Sequence, residues 1–196
     1  MTKWMTKIIE PDTVNALAKS RNDLATVAHE MGYEYLYIKR YSRSQIKETL
    51  AELNARIAGI LAGVKENDLV VYQYPAYIDN QFESNIEEQV IARNAHFVPF
   101  VHDAEQIRFG FAGGFNEIDY FNKATAIVVA NRETKAELER LGVRRPMILQ
   151  HIWDYLTDSP IISTPLKREI VMAGSFIKSD VLSSWHQQTH LIAFGQ

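Results

Sequence analysis

Short β-rich apolar runs alternate along this chain with longer stretches of helical spacing. The runs predict strands over Lys3–Ile9, Tyr33–Arg40, Leu69–Tyr74, Phe97–His102, Ala126–Ala130 and Met147–Gln150. Between them, apolar residues recur at three- and four-residue intervals. This pattern predicts helices over Val14–Glu30, Ser44–Ala62, Phe82–Asn94, Asn116–Lys123 and Arg132–Leu141. Strands that alternate with helices of this length imply βαβ units, hence an α/β, Rossmann-like, doubly wound parallel sheet covered on both faces.

Punctuation agrees with the periodicity. Gly32, Gly63 and Gly142 each follow a helical run, where a left-handed closing residue is expected. Asn131 is placed to cap the charged helix that follows it, and Pro75 is tolerable only at the end of its strand. From Trp153 the rhythm breaks. WDYLTDSPIISTP carries two prolines and several turn formers and reads as a linker. A fresh unit follows: REIVMAGS as strand and turn, DVLSSW as a short helix, HLIAFGQ as a second strand. The expected organisation is a domain over 1–152, a linker over 153–168 and, over 169–196, the opening of a second Rossmann-like unit that stops after its second strand. Such a stub cannot bury its own faces.

Composition narrows the classes. The 196 residues are 46% hydrophobic and 23% charged with a net charge of −3, which gives no general drive toward nucleic acid. The absence of cysteine excludes disulfides, thiolate metal sites and a cysteine nucleophile. No apolar run is long enough to cross a bilayer and the N-terminus lacks the core of a signal peptide, so a cytoplasmic location is expected, with peripheral membrane association left open.

In an open α/β sheet, ligands bind beyond the carboxyl ends of the strands. FVPFVHDAEQIRFG places His102 and Asp103 at such an end, followed by Glu105, Arg108 and Phe109. A histidine or carboxylate there can accept a proton from a sugar hydroxyl, and an arginine can bind a phosphate or carboxylate. The alternative is that Asp103 caps the next helix while His102 packs. In AGSFIKSD, Gly174, Ser175, Lys178 and Ser179 form a small-residue turn that lets backbone N–H groups approach a phosphate, although a plain tight turn explains it as well. IIEPDTVN, after the first strand, has no glycine, which argues against a dinucleotide site there. Gly113–Gly114 reads as a turn or hinge. His186 and His190 lack a third ligand nearby, so no metal site is expected. Tyr72, Tyr74 and Tyr77 suit either stacking on a sugar ring or, for the first two, one face of a buried strand.

Four stretches taken together carry a family resemblance: VVYQYP, FVHDAEQIRF, EIDYFNKATAIVVAN, and IWDYL with KREIVMAGSFIKS. The chain resembles the bacterial β-1,6-galactofuranosyltransferase family, related to glucosyltransferases that modify serine-rich adhesins, from about Val14 to Ser179. The family turn is commonly Ala-Gly-Asn, and Ser175 stands here in place of the asparagine.

The resemblance implies a GT-B architecture, with an N-terminal domain that receives the acceptor and a C-terminal one that holds a UDP-sugar. It implies transfer of a hexosyl or galactofuranosyl unit to a glycan or glycoconjugate, without a cofactor or metal, and a tendency to self-associate. His102 or Asp103 would act as base or orient the acceptor, Glu105, Arg108 and Phe109 would shape the acceptor-side loop, and Gly174, Ser175 and Lys178 would lie near the donor diphosphate. The chain is then expected to be inactive alone, as the acceptor-side part of an enzyme whose base- and ribose-gripping residues lie beyond Gln196. Two other readings compete: a non-catalytic acceptor-binding subunit of a split glycosyltransferase, and a flavodoxin-like regulator, which fits poorly because its acidic cluster after the first strand is missing.

Overall fold

The computed structural model describes residues 1–9, 16–110, 115–151, 156–158, 160, 170–173 and 191–194. The chain divides into two compact units, Met1–Leu156 and Thr157–Gln196.

The first unit is a Rossmann-like α/β fold. Its strands are β1 (Lys3–Ile9), β2 (Glu34–Lys39), β3 (Leu69–Tyr74), β4 (His96–Val101), β5 (Ile127–Val129) and β6 (Met147–Leu149). They form one six-stranded sheet in the order β2-β1-β3-β4-β5-β6, with every pairing parallel. Between β1 and β3 the order reverses, which opens a crevice at the carboxyl ends of neighbouring strands. The helices are α1 (Ala16–Glu30), α2 (Arg43–Ile46), α3 (Leu50–Ile60), α4 (Asn80–Ile91), α5 (Glu105–Phe109), α6 (Glu117–Lys123) and α7 (Arg132–Leu141).

The sheet is apolar on both faces. On one, Ile8, Leu36, Val70, Tyr72, Phe97 and Ile127 meet Leu53 and Ile57 of α3, Phe82 and Ile86 of α4, Phe121 of α6 and Leu138 of α7. On the other, Met5, Val71, Val98 and Phe100 meet Ala25 and Ala28 of α1. Strands buried on both sides read as near-continuous apolar runs, which is why β3 and β4 stand out so clearly in the sequence.

Three expectations change. The helix expected over Ser44–Ala62 is two helices. Lys47 adopts a left-handed φ of 52° that ends α2, and Thr49 opens α3 with a reciprocal capping box in which its side chain accepts from the Glu52 N–H while Glu52 accepts from the Thr49 N–H. Strand β4 starts one residue earlier than expected and ends at Val101, so His102 lies just past it. Gly32 and Gly142 do close their helices with φ of +84° and +113°, but Gly63 is not left-handed. There a Cβ would lie 2.9 Å from Cη2 of Trp4. The indole cannot easily retreat, because its Nε1 donates to Asp68 at 3.1 Å.

The second unit contributes β7 (Ile170–Ala173) and β8 (Leu191–Phe194), paired in parallel from Ile170 opposite Leu191 to Ala173 opposite Phe194. A parallel pair needs a crossover connection, as in a βαβ unit. The DVLSSW helix and His186 and His190 lie outside the described residues, as do Gly113–Gly114 and most of the expected linker.

The core also holds carboxylates. Glu87 of α4 is fully buried, and among the described residues neither of its oxygens accepts a hydrogen bond; Lys123 Nζ approaches to 3.5 Å. Burial pushes this carboxyl up to about 8, against the pull of Lys123.

Two consequences follow for stability. Gly63→Ala is expected to lower unfolding free energy by about 1–3 kcal/mol through overpacking against Trp4, read by urea denaturation; an unchanged midpoint would remove the indole as the cause. For Glu87, the folded pKa lies above the unfolded one. The native state therefore keeps a proton that the unfolded chain has released, and stability falls as pH rises through that window. Glu87→Gln is expected to flatten this fall and to exceed the unaltered protein by on the order of 2 kcal/mol at high pH. Urea curves at acidic, neutral and basic pH that shift in parallel would contradict it.

Candidate functional site

The segments after β2, β3 and β4 converge at the carboxyl edge of the sheet and enclose two neighbouring clefts. The larger, about 250 Å³, is lined by Arg40 from the end of β2, by Tyr74, Tyr77 and Asp79 after β3, by Glu83 of α4 and by Glu105 of α5. The smaller, about 140 Å³, is lined by His102, Asp103, Ile107 and Arg108 after β4 and by Ala130 and Thr134 after β5.

His102 is held from two sides. Its backbone N–H continues the β3–β4 ladder by donating to the Tyr74 carbonyl at 2.9 Å. Its Nε2 lies 2.9 Å from Oε1 of Gln73. Gln73 Nε2 donates to the carbonyls of Thr6 and Arg21 at 2.7 and 3.2 Å, so its oxygen is the atom turned toward the imidazole. His102 therefore donates from Nε2, and Nδ1 carries the lone pair. Burial, reinforced by the nearby charge of Arg21, pushes its pKa down to about 3, which leaves the ring neutral at physiological pH and a weak base.

Asp103 does not cap the next helix. Helix α5 follows Ala104, which provides no side-chain cap. Instead Glu117, at the start of α6, accepts from the backbone N–H groups of Glu105 at 3.0 Å and Gln106 at 2.8 Å. It also accepts from the Tyr74 hydroxyl at 2.8 Å. Asp103 is thereby available to other partners: its Oδ2 accepts from Arg108 Nη1 at 2.7 Å and from the Tyr77 hydroxyl at 3.1 Å.

Tyr77 joins the two clefts. Its ring lines the larger one, while its hydroxyl reaches the carboxylate of the smaller. The guanidinium groups of Arg21 and Arg40 lie over its ring at 5.3 and 5.5 Å, and Arg40 Nε donates to its carbonyl at 3.2 Å. These contacts hold it at φ 56°, a left-handed conformation unfavourable for a bulky residue.

Of the residues singled out from the sequence, His102, Asp103 and Arg108 come together in the smaller cleft, and Glu105 faces the larger. Phe109 lines neither; it is 64% exposed, with the Arg108 guanidinium 4.9 Å over its ring. Gly174, Ser175 and Lys178 lie outside the described residues. Among the described residues, no group of three His, Asp or Glu side chains is placed to hold a metal ion, and no helix is long and apolar enough to cross a membrane.

Glu83 was not singled out. It is buried in the first turn of α4, where Oε1 accepts from the Ala76 N–H at 2.7 Å and Oε2 from the Tyr72 hydroxyl at 2.6 Å. Burial pushes it up to about 7, opposed by those two hydrogen bonds and by Arg21. A signal exists in the sequence: Glu83 and Glu87 fall beside Phe82, Ile86 and Val90, on the apolar stripe where an acid is out of place.

The neutral state of His102 is directly checkable. Its ring-proton NMR resonance is expected to stay unchanged from pH 8 to pH 5; a titration in the ordinary histidine range would overturn the burial account.

Comparison with known proteins connects this edge to a family. Residues 2–152 match the family described as Glucosyltransferase 3-like, N-terminal domain. Glucosyltransferase 3 of Streptococcus parasanguinis is 27% identical over 190 residues, which cover 94% of this chain and 56% of that protein. Glucosyltransferase 3 of Streptococcus gordonii is 27% identical over 182 residues, covering 89% and 53%. The chain thus spans about half the length of the curated relatives it matches. With the family match extending over most of the chain, this protein belongs to the Glucosyltransferase 3-like N-terminal domain family.

Proposed function

We propose that this chain is the acceptor-side part of a sugar-nucleotide-dependent glycosyltransferase, with residues 1–152 as the acceptor domain, 153–168 as a linker and 169–196 as the start of the donor-binding domain. The reaction is transfer of a hexosyl unit, glucosyl or galactofuranosyl, from a uridine-diphosphate sugar to a hydroxyl of a glycan or glycoconjugate. The reading rests above all on the pair of clefts at the carboxyl edge of the sheet, in a chain whose relatives are glucosyltransferases by name.

The residues divide the work. Asp103, braced by Arg108 and Tyr77, presents a carboxylate that orients an acceptor hydroxyl, and the neutral imidazole of His102 lines the same cleft and helps to position it. The depressed basicity of His102 suits it to orientation more than to proton removal. Gly174, Ser175 and Lys178 serve the donor diphosphate, whose departing charge is met by cationic side chains and backbone N–H groups without a metal ion. The chain acts in the cytoplasm and associates with further copies of itself.

Calorimetry with uridine diphosphate tests the division of labour. Binding is expected only when a donor-binding half is also present, in cis or in trans. Tight binding by this chain alone would reverse the domain roles, and acceptor binding with no transfer under any donor half would favour a non-catalytic subunit. Within an enzyme having both halves, Asp103→Asn is expected to lower kcat/KM about 100-fold by misplacing the acceptor and His102→Ala about tenfold by loss of one hydrogen bond. Full activity in both variants would refute their role.

A further inference from the structure

The orienting groups of the smaller cleft leave one requirement of the reaction unmet: the acceptor hydroxyl must lose its proton as it attacks. The larger cleft next to it meets that need. We propose that this cleft seats one sugar unit of the acceptor over Glu83, and that the Glu83 carboxylate takes the proton of the attacking hydroxyl. The inference rests on the proposed function and names the seat of its chemistry.

Size and lining agree with a hydroxyl-rich ligand. At about 250 Å³ the cleft lies just below the range typical of drug-sized ligands, so it suits a single small polar unit. Arg40 and Asn80 bring donors to its wall and Glu105 brings a carboxylate. Glu83 forms part of the same wall although its side chain is almost wholly removed from solvent.

Its two hydrogen bonds fix the carboxylate plane, and each oxygen retains a second lone pair for an incoming hydroxyl. It is held by backbone of the β3–α4 connection and by a side chain of β3 itself, and rigid elements are what a proton acceptor requires.

The surrounding charges account for its poise. Burial is the leading influence and disfavours the anion. From β3 the Tyr72 hydroxyl, from the following turn the Ala76 N–H and from α1 the Arg21 guanidinium favour it, while Glu105 of α5 repels it. Tyr74 and Tyr120, also close enough to feel Glu83, are neutral phenols pushed further up by their own burial. Asp79 is already engaged by Arg43 at 2.7 Å and by the Phe82 N–H at 2.8 Å. The balance leaves Glu83 at about 7, where a base is both available and strong enough to be useful at neutral pH.

In the step itself, the proton of the acceptor hydroxyl passes to Glu83. The oxygen's electron pair forms the new bond to the anomeric carbon of the nucleoside-diphosphate sugar, and the bond from that carbon to the diphosphate oxygen breaks with its pair leaving on the diphosphate. Glu83 then returns the proton to solvent through the open cleft.

The test uses an enzyme with its donor-binding half present, uridine-diphosphate glucose and galactofuranose as donors, and a panel of p-nitrophenyl hexosides as acceptors. The unaltered enzyme is expected to lose kcat/KM below about pH 7 with a slope of one. Glu83→Gln is expected to lower kcat by about 100-fold or more, to change acceptor KM little, and to abolish the acid limb. Tyr72→Phe retains the carboxyl but removes a hydrogen bond that favours the anion, so the acid limb is expected to move to higher pH. This second variant decides the matter should Glu83→Gln fail to fold: a shifted limb supports the role, and an unmoved one overturns it. If the enzyme transfers sugar while Glu83→Gln keeps both rate and acid limb, the inference fails and the proposed function stands. If the unaltered enzyme transfers from neither donor, the proposed function fails and the inference falls with it.

Discussion

Two tyrosine hydroxyls of the central strand organise the carboxyl edge of this fold. Tyr72 and Tyr74 project from the same face of β3 into the core, and each ends on a buried carboxylate: Tyr72 on Glu83 of α4, Tyr74 on Glu117 of α6. A buried hydroxyl without a partner costs about 1–3 kcal/mol, and an unpaired carboxylate more. Neither side of either pair can therefore move independently. The pairs set the start of α4 and of α6 against the sheet, and through Glu117 they also place α5 and the residues leading into it. Nonspecific apolar packing would hold the same helices without fixing their rotation so closely.

The same constraint gives the region its electrostatic character. Three acids, Glu83, Glu87 and Glu117, sit in or beside the core, and burial pushes all of them up. The fully buried Arg21 approaches from the opposite face of the sheet, where it donates to the Pro75 carbonyl. One guanidinium thus depresses the basicity of His102 and favours the anion of Glu83. The shared positive charge acts on both groups in the same direction, disfavouring the proton on each: it reinforces burial at His102 and opposes it at Glu83.

Much of the architecture was legible in the sequence because parallel strands buried on both faces leave unmistakable apolar runs. Strands β1 and β3 and helix α7 match their expected limits. The misreadings have identifiable physical causes, one local and one tertiary. The helix across Lys47 kept its apolar spacing through the break, so periodicity hid a capping box that Thr49 and Glu52 do spell out. Gly63 follows a helix like the other two glycines, but its reason is an aromatic ring brought from β1, a contact no local window contains. In the candidate site, His102, Asp103, Glu105 and Arg108 could be found because they follow one strand. Glu83 and Glu117 could not be found that way. Each is an acid in a helical first turn, where an exposed carboxylate is ordinary; Glu83 is betrayed by its place on the apolar stripe of α4, and the tertiary partners Tyr72 and Tyr74 fix both as interior.

Helix α5 has just five residues and no cap of its own. A segment that short has no independent stability in water, so its order is borrowed. The loan comes through one carboxylate, Glu117, which closes two of its N–H groups while belonging to a different helix. The α5 segment can accordingly shift by breaking a few side-chain hydrogen bonds, those to Glu117 and that between Asp103 and Tyr77, with no strand pairing broken. The cleft wall that α5 forms is thus tied on by side chains, whereas β3 is bonded through its backbone to a strand on either side.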